Sequence, residues 1–160
     1  NEDEVVPIAN EVEYARGYLT IQKMRYKDKL EFQIEVDPSI LHIPLIKLVL
    51  QPIIENAIYH GMEGMYEDGE ITIRIYDRDG DIGIDVADNG PGMTQETIDH
   101  IMHNKVISSK RGSGIGVRNV NERIQLIYGE DYGVTITSEL DEGTTATITI
   151  PKMEETDDAR

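Results

Sequence analysis

Hydrophobic and polar residues alternate in several stretches of this chain, with the two-residue period of strands that bury one face. The alternation covers residues 30–36, 71–76, 82–86, 134–136 and 146–150. Asp79-Gly80 separates the second stretch from the third, and Asp141-Glu142-Gly143 separates the last two. Short connections of this composition predict two β-hairpins.

Other regions show apolar residues at helical spacing instead. We predict helices over residues 10–26, 44–60 and 117–128, and a shorter helix over residues 94–102. Asn10 is a candidate N-cap of the first helix, and Pro44 suits the first turn of the second. Pro52 falls inside the second predicted helix, where its missing N–H should bend the helix.

Each predicted strand carries one apolar face, so we expect a sheet that is covered on one side only. The predicted fold class is α+β: a two-layer α/β sandwich with a mixed, mainly antiparallel sheet and helices on one face. One domain accounts for all 160 residues. The polar ends, at about residues 1–4 and 154–160, are expected to be disordered.

The charge balance narrows the choice of partners, because 15 basic residues stand against 31 acidic ones. Binding to nucleic acid depends on clustered Lys and Arg, so we expect no nucleic-acid partner. A polyanionic ligand would need Mg²⁺, backbone N–H groups or a local basic cluster. The chain has no cysteine, so disulfides are excluded. It has no apolar run long enough to cross a bilayer, so this fragment is expected to make no membrane contact.

The second predicted helix carries a polar strip on an otherwise apolar surface. Gln51, Glu55 and Tyr59 follow one another at i, i+4 spacing, and Asn56 and His60 form the adjacent row. Such a strip is costly to bury unless it finds partners. One interpretation is a hydrogen-bonded packing seam. The other is functional: Asn56 offers an oxygen to Mg²⁺, and Glu55 acts as a base or holds water.

Asp88 directly follows an alternating strand and precedes Gly90-Pro91-Gly92. It is a candidate acceptor for the exocyclic amine of adenine, a contact that the wrong base would leave unpaired. The alternative interpretation is an acid that caps the glycine-containing bend.

The segment Gly112-Ser113-Gly114-Ile115-Gly116 opens the predicted helix over residues 117–128. Two features argue against a dinucleotide fingerprint: the spacing of the glycines does not fit, and no apolar strand precedes the segment. A glycine-rich loop at a helix N-terminus instead favours phosphate binding, and Lys110 and Arg111 lie just before it. A solvated hinge is the alternative.

Taken in order, these segments resemble a known set of motifs. Leu50-Gln51-Pro52-Ile53-Ile54-Glu55-Asn56-Ala57 resembles the asparagine box of the ATP-binding domain shared by gyrase, MutL, a heat-shock chaperone and histidine kinases. Asp88–Gly92 and Gly112–Gly116 resemble its two glycine boxes, and Gly143-Thr144 matches the position of an adenine-pocket threonine. The Leu-Gln-Pro form, with residues 18–25 and 119–123, is similar to the LytS/YesM class of sensor histidine kinases.

The resemblance implies a Bergerat (GHKL) sandwich that binds Mg-ATP and transfers its γ-phosphoryl group to a histidine on upstream dimerisation helices absent from this chain. It implies that Asn56 ligates Mg²⁺ and that Asp88 reads adenine, while Glu55 is the candidate catalytic base. The residues expected to contact the cofactor are Asn56, His60, Asp88, Gly90, Gly92, Lys110, Arg111, Gly112, Gly114, Gly116 and Thr144.

For the full-length protein the resemblance implies a homodimer, a response regulator as partner, and a cytoplasmic location for this domain of a membrane-anchored kinase. Pro52 stands where gyrase-like members keep a catalytic glutamate, which disfavours a free-standing ATPase. Two further interpretations stay open: a non-enzymatic nucleotide-sensing module, and an anti-sigma-type serine kinase on the same fold.

Overall fold

The computed structural model describes residues 5–62, 68–103 and 115–153. Their helices are α1 (Ile8–Arg25), α2 (Leu50–Met62), α3 (Gln95–His103) and α4 (Ile115–Tyr128). Their strands are β1 (Val5–Pro7), β2 (Leu30–Val36), β3 (Pro44–Ile46), β4 (Gly69–Arg78), β5 (Asp81–Asp88), β6 (Gly133–Glu139) and β7 (Gly143–Pro151). The chain ends for which we predict disorder, residues 1–4 and 154–160, lie outside the described residues.

The main sheet has five strands in the order β2-β4-β5-β7-β6. Only the β2–β4 pair within this sheet is parallel, and the other neighbours are antiparallel. A parallel pair requires a long crossover connection, which β3 and α2 supply. The predicted mixed, mainly antiparallel sheet is therefore confirmed.

Both predicted hairpins are present. Asp79 and Gly80 connect β4 to β5 with φ angles of 53° and 92°, the two positive values that a type I′ turn requires. The β6–β7 turn includes Asp141 at φ 68° and ends at Gly143 at φ 125°. The two hairpins predicted from the sequence are therefore confirmed.

The two faces of the sheet differ in polarity. Ile73 on β4, Ile84 on β5 and Ile148 on β7 are all buried under the helices. On the opposite face, Asp85 accepts hydrogen bonds from the Tyr76 hydroxyl at 3.0 Å and from Thr147 Oγ1 at 2.9 Å. Helices α1, α2 and α4 contact the main sheet, so the predicted two-layer sandwich is confirmed.

The predicted start of the second helix at Pro44 is wrong. Residues Pro44–Ile46 form β3, which pairs antiparallel with β1, and α2 begins only at Leu50. Leu48 adopts a φ of 67°, which a continuous helix cannot include. A short, fully buried segment is apolar at every position whether it is a strand or a helix. Hydrophobic periodicity therefore could not distinguish the two structures here.

This later start changes the role of Pro52. It is the third residue of α2, where the backbone N–H has no intrahelical partner in any case, so the predicted bend loses its cause.

Asn10 is not the N-cap of α1, because the helix already begins at Ile8. The first α1 amides donate instead to neighbouring carbonyls, Ile8 N–H to Ile43 at 2.9 Å and Ala9 N–H to Leu41 at 2.9 Å.

Across the described part of the chain, no helix combines the length and apolarity needed to span a membrane.

Candidate functional site

Asp88 is the last residue of β5 and is partly buried. The Gly90 N–H donates to its Oδ1 at 2.8 Å. Burial raises the pKa of the Asp88 carboxyl, while hydrogen bonding from the backbone of Gly90 and Thr144 opposes that rise. A carboxylate that is withdrawn from water yet still offers acceptor positions is suited to bind a ligand donor.

Three glycines let the backbone approach Asp88 closely. A Cβ on Gly61 of α2 would lie 2.8 Å from the Asp88 Cγ, and one on Gly90 would lie 2.6 Å from the Gly61 Cα. Gly143 has a φ of 125°, and a Cβ there would collide with the Asp88 carbonyl oxygen. The glycines thereby hold the C-terminal half of α2 directly against the end of β5. The helix that carries Asn56 is thus brought to Asp88.

Thr144 lies opposite Asp88 in the β5–β7 register and is buried. Its hydroxyl is 2.8 Å from Ser138 Oγ. Ser138 donates to the Gly143 carbonyl at 2.8 Å and accepts from the Met93 N–H at 2.8 Å. Since Ser138 has a single hydroxyl proton, Thr144 is the donor of this pair, and its own lone pairs remain available to a ligand.

Asp88 and Thr144 line a common shallow cavity of about 390 Å³. Its other lining residues are Thr137, Ser138, Glu139, Glu142, Gly143 and Thr145. Ser138 was not predicted from the sequence, although its position near the hairpin turn, opposite Thr144, was a usable signal. The exposed carboxyls of Glu139 and Glu142 share a hydrogen bond that raises the pKa of Glu142. Glu139 and Glu142 form an acidic rim at the edge of the cavity. This rim repels anions, so any phosphate groups of a ligand must extend away from it.

Gly92 closes the same end of the site. It has a φ of 79°, and a Cβ there would collide with the Glu139 carbonyl oxygen. The Asp141 N–H donates to the Pro91 carbonyl at 2.7 Å. The first glycine segment is therefore fastened to the β6–β7 turn.

The polar strip of α2 lies on its less buried side. Gln51 Nε2 donates to Glu55 Oε2 at 2.9 Å, and Glu55 is exposed. Burial, and after it the charges of Glu55 and Glu11, raises the pKa of Tyr14 on α1. Asn56 and His60 are half-buried.

The second glycine segment is described only from its helical end. α4 begins at Ile115, and a Cβ on Gly116 would lie 3.1 Å from Pro52 Cβ. The start of α4 thus rests on the first turn of α2, one turn before Asn56. Four predicted cofactor-contact residues, Lys110, Arg111, Gly112 and Gly114, lie outside the described residues.

Most of the chain matches one known protein family. Residues 42–154 match the family model for histidine kinase-, DNA gyrase B- and HSP90-like ATPases. This match covers more than two thirds of the chain and includes α2, β5, α4 and the β6–β7 hairpin. The chain belongs to this ATPase family.

Curated relatives within this ATPase family include sensor kinases. The chain is 38% identical over 148 residues to the sensor histidine kinase YesM of Bacillus subtilis, covering 92% of the chain and 24% of YesM. It is 30% identical over 148 residues to the sensor protein LytS of Bacillus cereus, covering 92% of the chain and 25% of LytS. The chain therefore spans about a quarter of the length of these relatives.

Solved structures agree on the fold of this ATPase family member. The catalytic domain of histidine kinase ThkA superimposes with a TM-score of 0.69 at 18% identity, covering 94% of the chain and 99% of that domain. The mycobacterial sensor histidine kinase MprB gives a TM-score of 0.65 at 19% identity, covering 94% and 97%. The fold is that of histidine kinase catalytic domains, as the resemblance implies.

Proposed function

We propose that this chain is the ATP-binding catalytic domain of a sensor histidine kinase, which transfers the γ-phosphoryl group of Mg-ATP to a histidine on an upstream helical domain. The observation that carries the proposal is the partly buried Asp88 at the end of β5, facing Thr144 and enclosed by Gly61 and Gly90. The names of the curated relatives support a kinase rather than a nucleotide-sensing module or an anti-sigma kinase.

The Asp88 end of the site suits adenine. A carboxylate oxygen can accept two hydrogen bonds, so the bond from Gly90 leaves acceptor capacity for the exocyclic amine. Guanine presents a carbonyl oxygen at the same ring position, which would face the carboxylate as a second acceptor. The available lone pairs of Thr144 reinforce this preference for a donor.

The phosphates would extend toward the start of α4, away from the acidic rim of Glu139 and Glu142. A net charge of −16 means that this binding needs compensating charge. Asn56 can supply one oxygen ligand to Mg²⁺, which prefers a few protein ligands together with phosphates and water. Bound Mg²⁺ would neutralise charge on the phosphates.

Transfer of the phosphoryl group depends mainly on positioning and charge stabilisation. Glu55 is the candidate base, and its exposed position on α2 is compatible with meeting an acceptor from another domain. His60 is a candidate contact for the nucleotide rather than an acceptor, since it lies on the same helix as Asn56. In the full-length protein we expect a homodimer that passes the phosphoryl group to a response regulator, with this domain in the cytoplasm.

We expect the chain to bind Mg-ATP at least about 100-fold more tightly than Mg-GTP, because guanine would leave the Asp88 carboxylate unpaired. Isothermal titration calorimetry of the purified chain with each nucleotide tests this. Equal affinity for the two nucleotides would contradict the proposed role of Asp88.

We expect Asn56→Ala to weaken ATP binding about tenfold in the presence of Mg²⁺ and to have little effect in EDTA, since the substitution removes one metal ligand. Asn10→Ala removes an exposed carboxamide from α1 and serves as the matched control. Titrations with and without Mg²⁺ supply the measurement. An unchanged Mg²⁺ dependence in Asn56→Ala would favour the packing-seam interpretation of the α2 polar strip.

A further inference from the structure

Glu11 is a buried carboxylate outside the proposed nucleotide site. It lies on α1 and is only 5% exposed. Its Oε1 accepts from the Leu50 N–H, the first of α2, at 3.5 Å. Hydrogen bonding from the backbone of Leu48 and Val49 also acts on the carboxyl. One helix thus supplies the acidic cap for the start of another.

Residues 47–50, which connect β3 to α2 and which we call the β3–α2 corner, are also held by a third helix. Arg123 lies on α4, and its Nη2 donates to the Lys47 carbonyl at 2.7 Å. Burial raises the pKa of Glu11, while the three amides, and after them the positive charge of Arg123, oppose that rise. Leu48, between these anchors, adopts a φ of 67°. Glu11 and Arg123 therefore hold the segment from Lys47 to Leu50 from two different helices.

The β3–α2 corner controls the position of α2 relative to α4, the two helices of the proposed site. Gly116 at the start of α4 packs against Pro52 in the first turn of α2. Asn56 follows one turn later on the same helix. A helix moves as a rigid rod over so few residues, so a displacement at Leu50 is carried to Asn56 and changes its position relative to α4.

We infer that Glu11 is a positioning residue: through the β3–α2 corner it sets the placement of Asn56 against the start of α4, and α1 is thereby coupled to nucleotide affinity. This inference rests on the proposed function. It assigns α1 a role in the site although no α1 residue lines the cavity that contains Asp88.

The test uses Glu11→Gln, which keeps the size and one acceptor oxygen but removes the charge. We expect its dissociation constant for Mg-ATP to rise about three- to tenfold, as is typical of substitutions that act on a site without touching the ligand. Glu13→Gln is the matched control, because Glu13 lies on the same helix with its side chain 77% exposed. Arg123→Gln removes the contact that α4 makes with the β3–α2 corner, and it should weaken Mg-ATP binding by a similar factor.

A cap that serves stability alone would give a different result. If Glu11 acts by placing Asn56, then Glu11→Gln should change affinity by less than about twofold when Asn56 is already alanine. An unchanged dissociation constant with a lowered melting temperature would overturn the inference, as would an equal loss in both backgrounds. Failure of the wild-type chain to bind Mg-ATP would instead contradict the proposed function, so the two failures are distinguishable.

Discussion

Asp88→Asn abolishes measurable ATP binding while the chain remains folded: this is the expected result of the most informative single substitution. The carboxylate offers acceptor positions on two oxygens, of which one bonds the Gly90 N–H. In asparagine one of these two oxygens is replaced by an NH₂ group, so an adenine amine that binds at that position would face a donor instead of an acceptor. Losing a charged hydrogen bond and leaving a buried donor unpaired together cost about 3–5 kcal/mol, or roughly 100- to 4,000-fold in affinity.

The substitution should not destabilise the fold, and this separates a binding effect from unfolding. Because burial raises the pKa of Asp88, the charged form is penalised in the folded state at neutral pH. The neutral asparagine removes that penalty, so the melting temperature should stay equal or rise. Asp85→Asn is the matched control, since Asp85 lies on the same strand but on the opposite face of the sheet. Retention of tight ATP binding by Asp88→Asn would contradict the proposed site.

Much of the fold was predictable because its signals are local. Alternating isoleucines with positive-φ turn residues such as Asp79 and Gly80 determine a hairpin without long-range information. The strand at Pro44–Ile46 was not predictable in this way. It is an apolar segment whose strand geometry comes from pairing with β1, about forty residues earlier in the chain, and such tertiary pairing overrides local pattern.

The candidate site was predictable where the chemistry of a residue is unusual for its place, as with Asp88 at a strand end. Its supporting contacts were not. Glu11 appears in the sequence as one of several charged residues on α1, and only the fold shows that it caps α2. Gly61 likewise reveals its close approach to Asp88 only after β5 and α2 are assembled. The predicted contacts Lys110 and Arg111 stay predictions, since they lie outside the described residues.

The second large effect concerns phosphoryl transfer. We expect the isolated chain to bind ATP without labelling itself, because transfer requires an acceptor in line with the γ-phosphate. His60 is part of α2 and cannot leave the helix that carries Asn56. His42 lies in a turn, and His100 and His103 lie on α3, which is held to α4 where Arg118 Nη2 donates to the His100 carbonyl at 3.4 Å. An upstream helical domain of the same protein, added separately, should supply the acceptor histidine.

Incubation with γ-labelled ATP, with and without that added domain, measures the transfer directly. The expected result is acid-labile label on the added domain, none on the chain alone, and none on either when the chain carries Asp88→Asn. The chain with Asp85→Asn should transfer like the wild type. Strong self-labelling of the isolated chain, or an added domain that stays unlabelled while the chain binds Mg-ATP, would contradict the proposal that the chain is the phosphoryl-donor domain of a sensor histidine kinase.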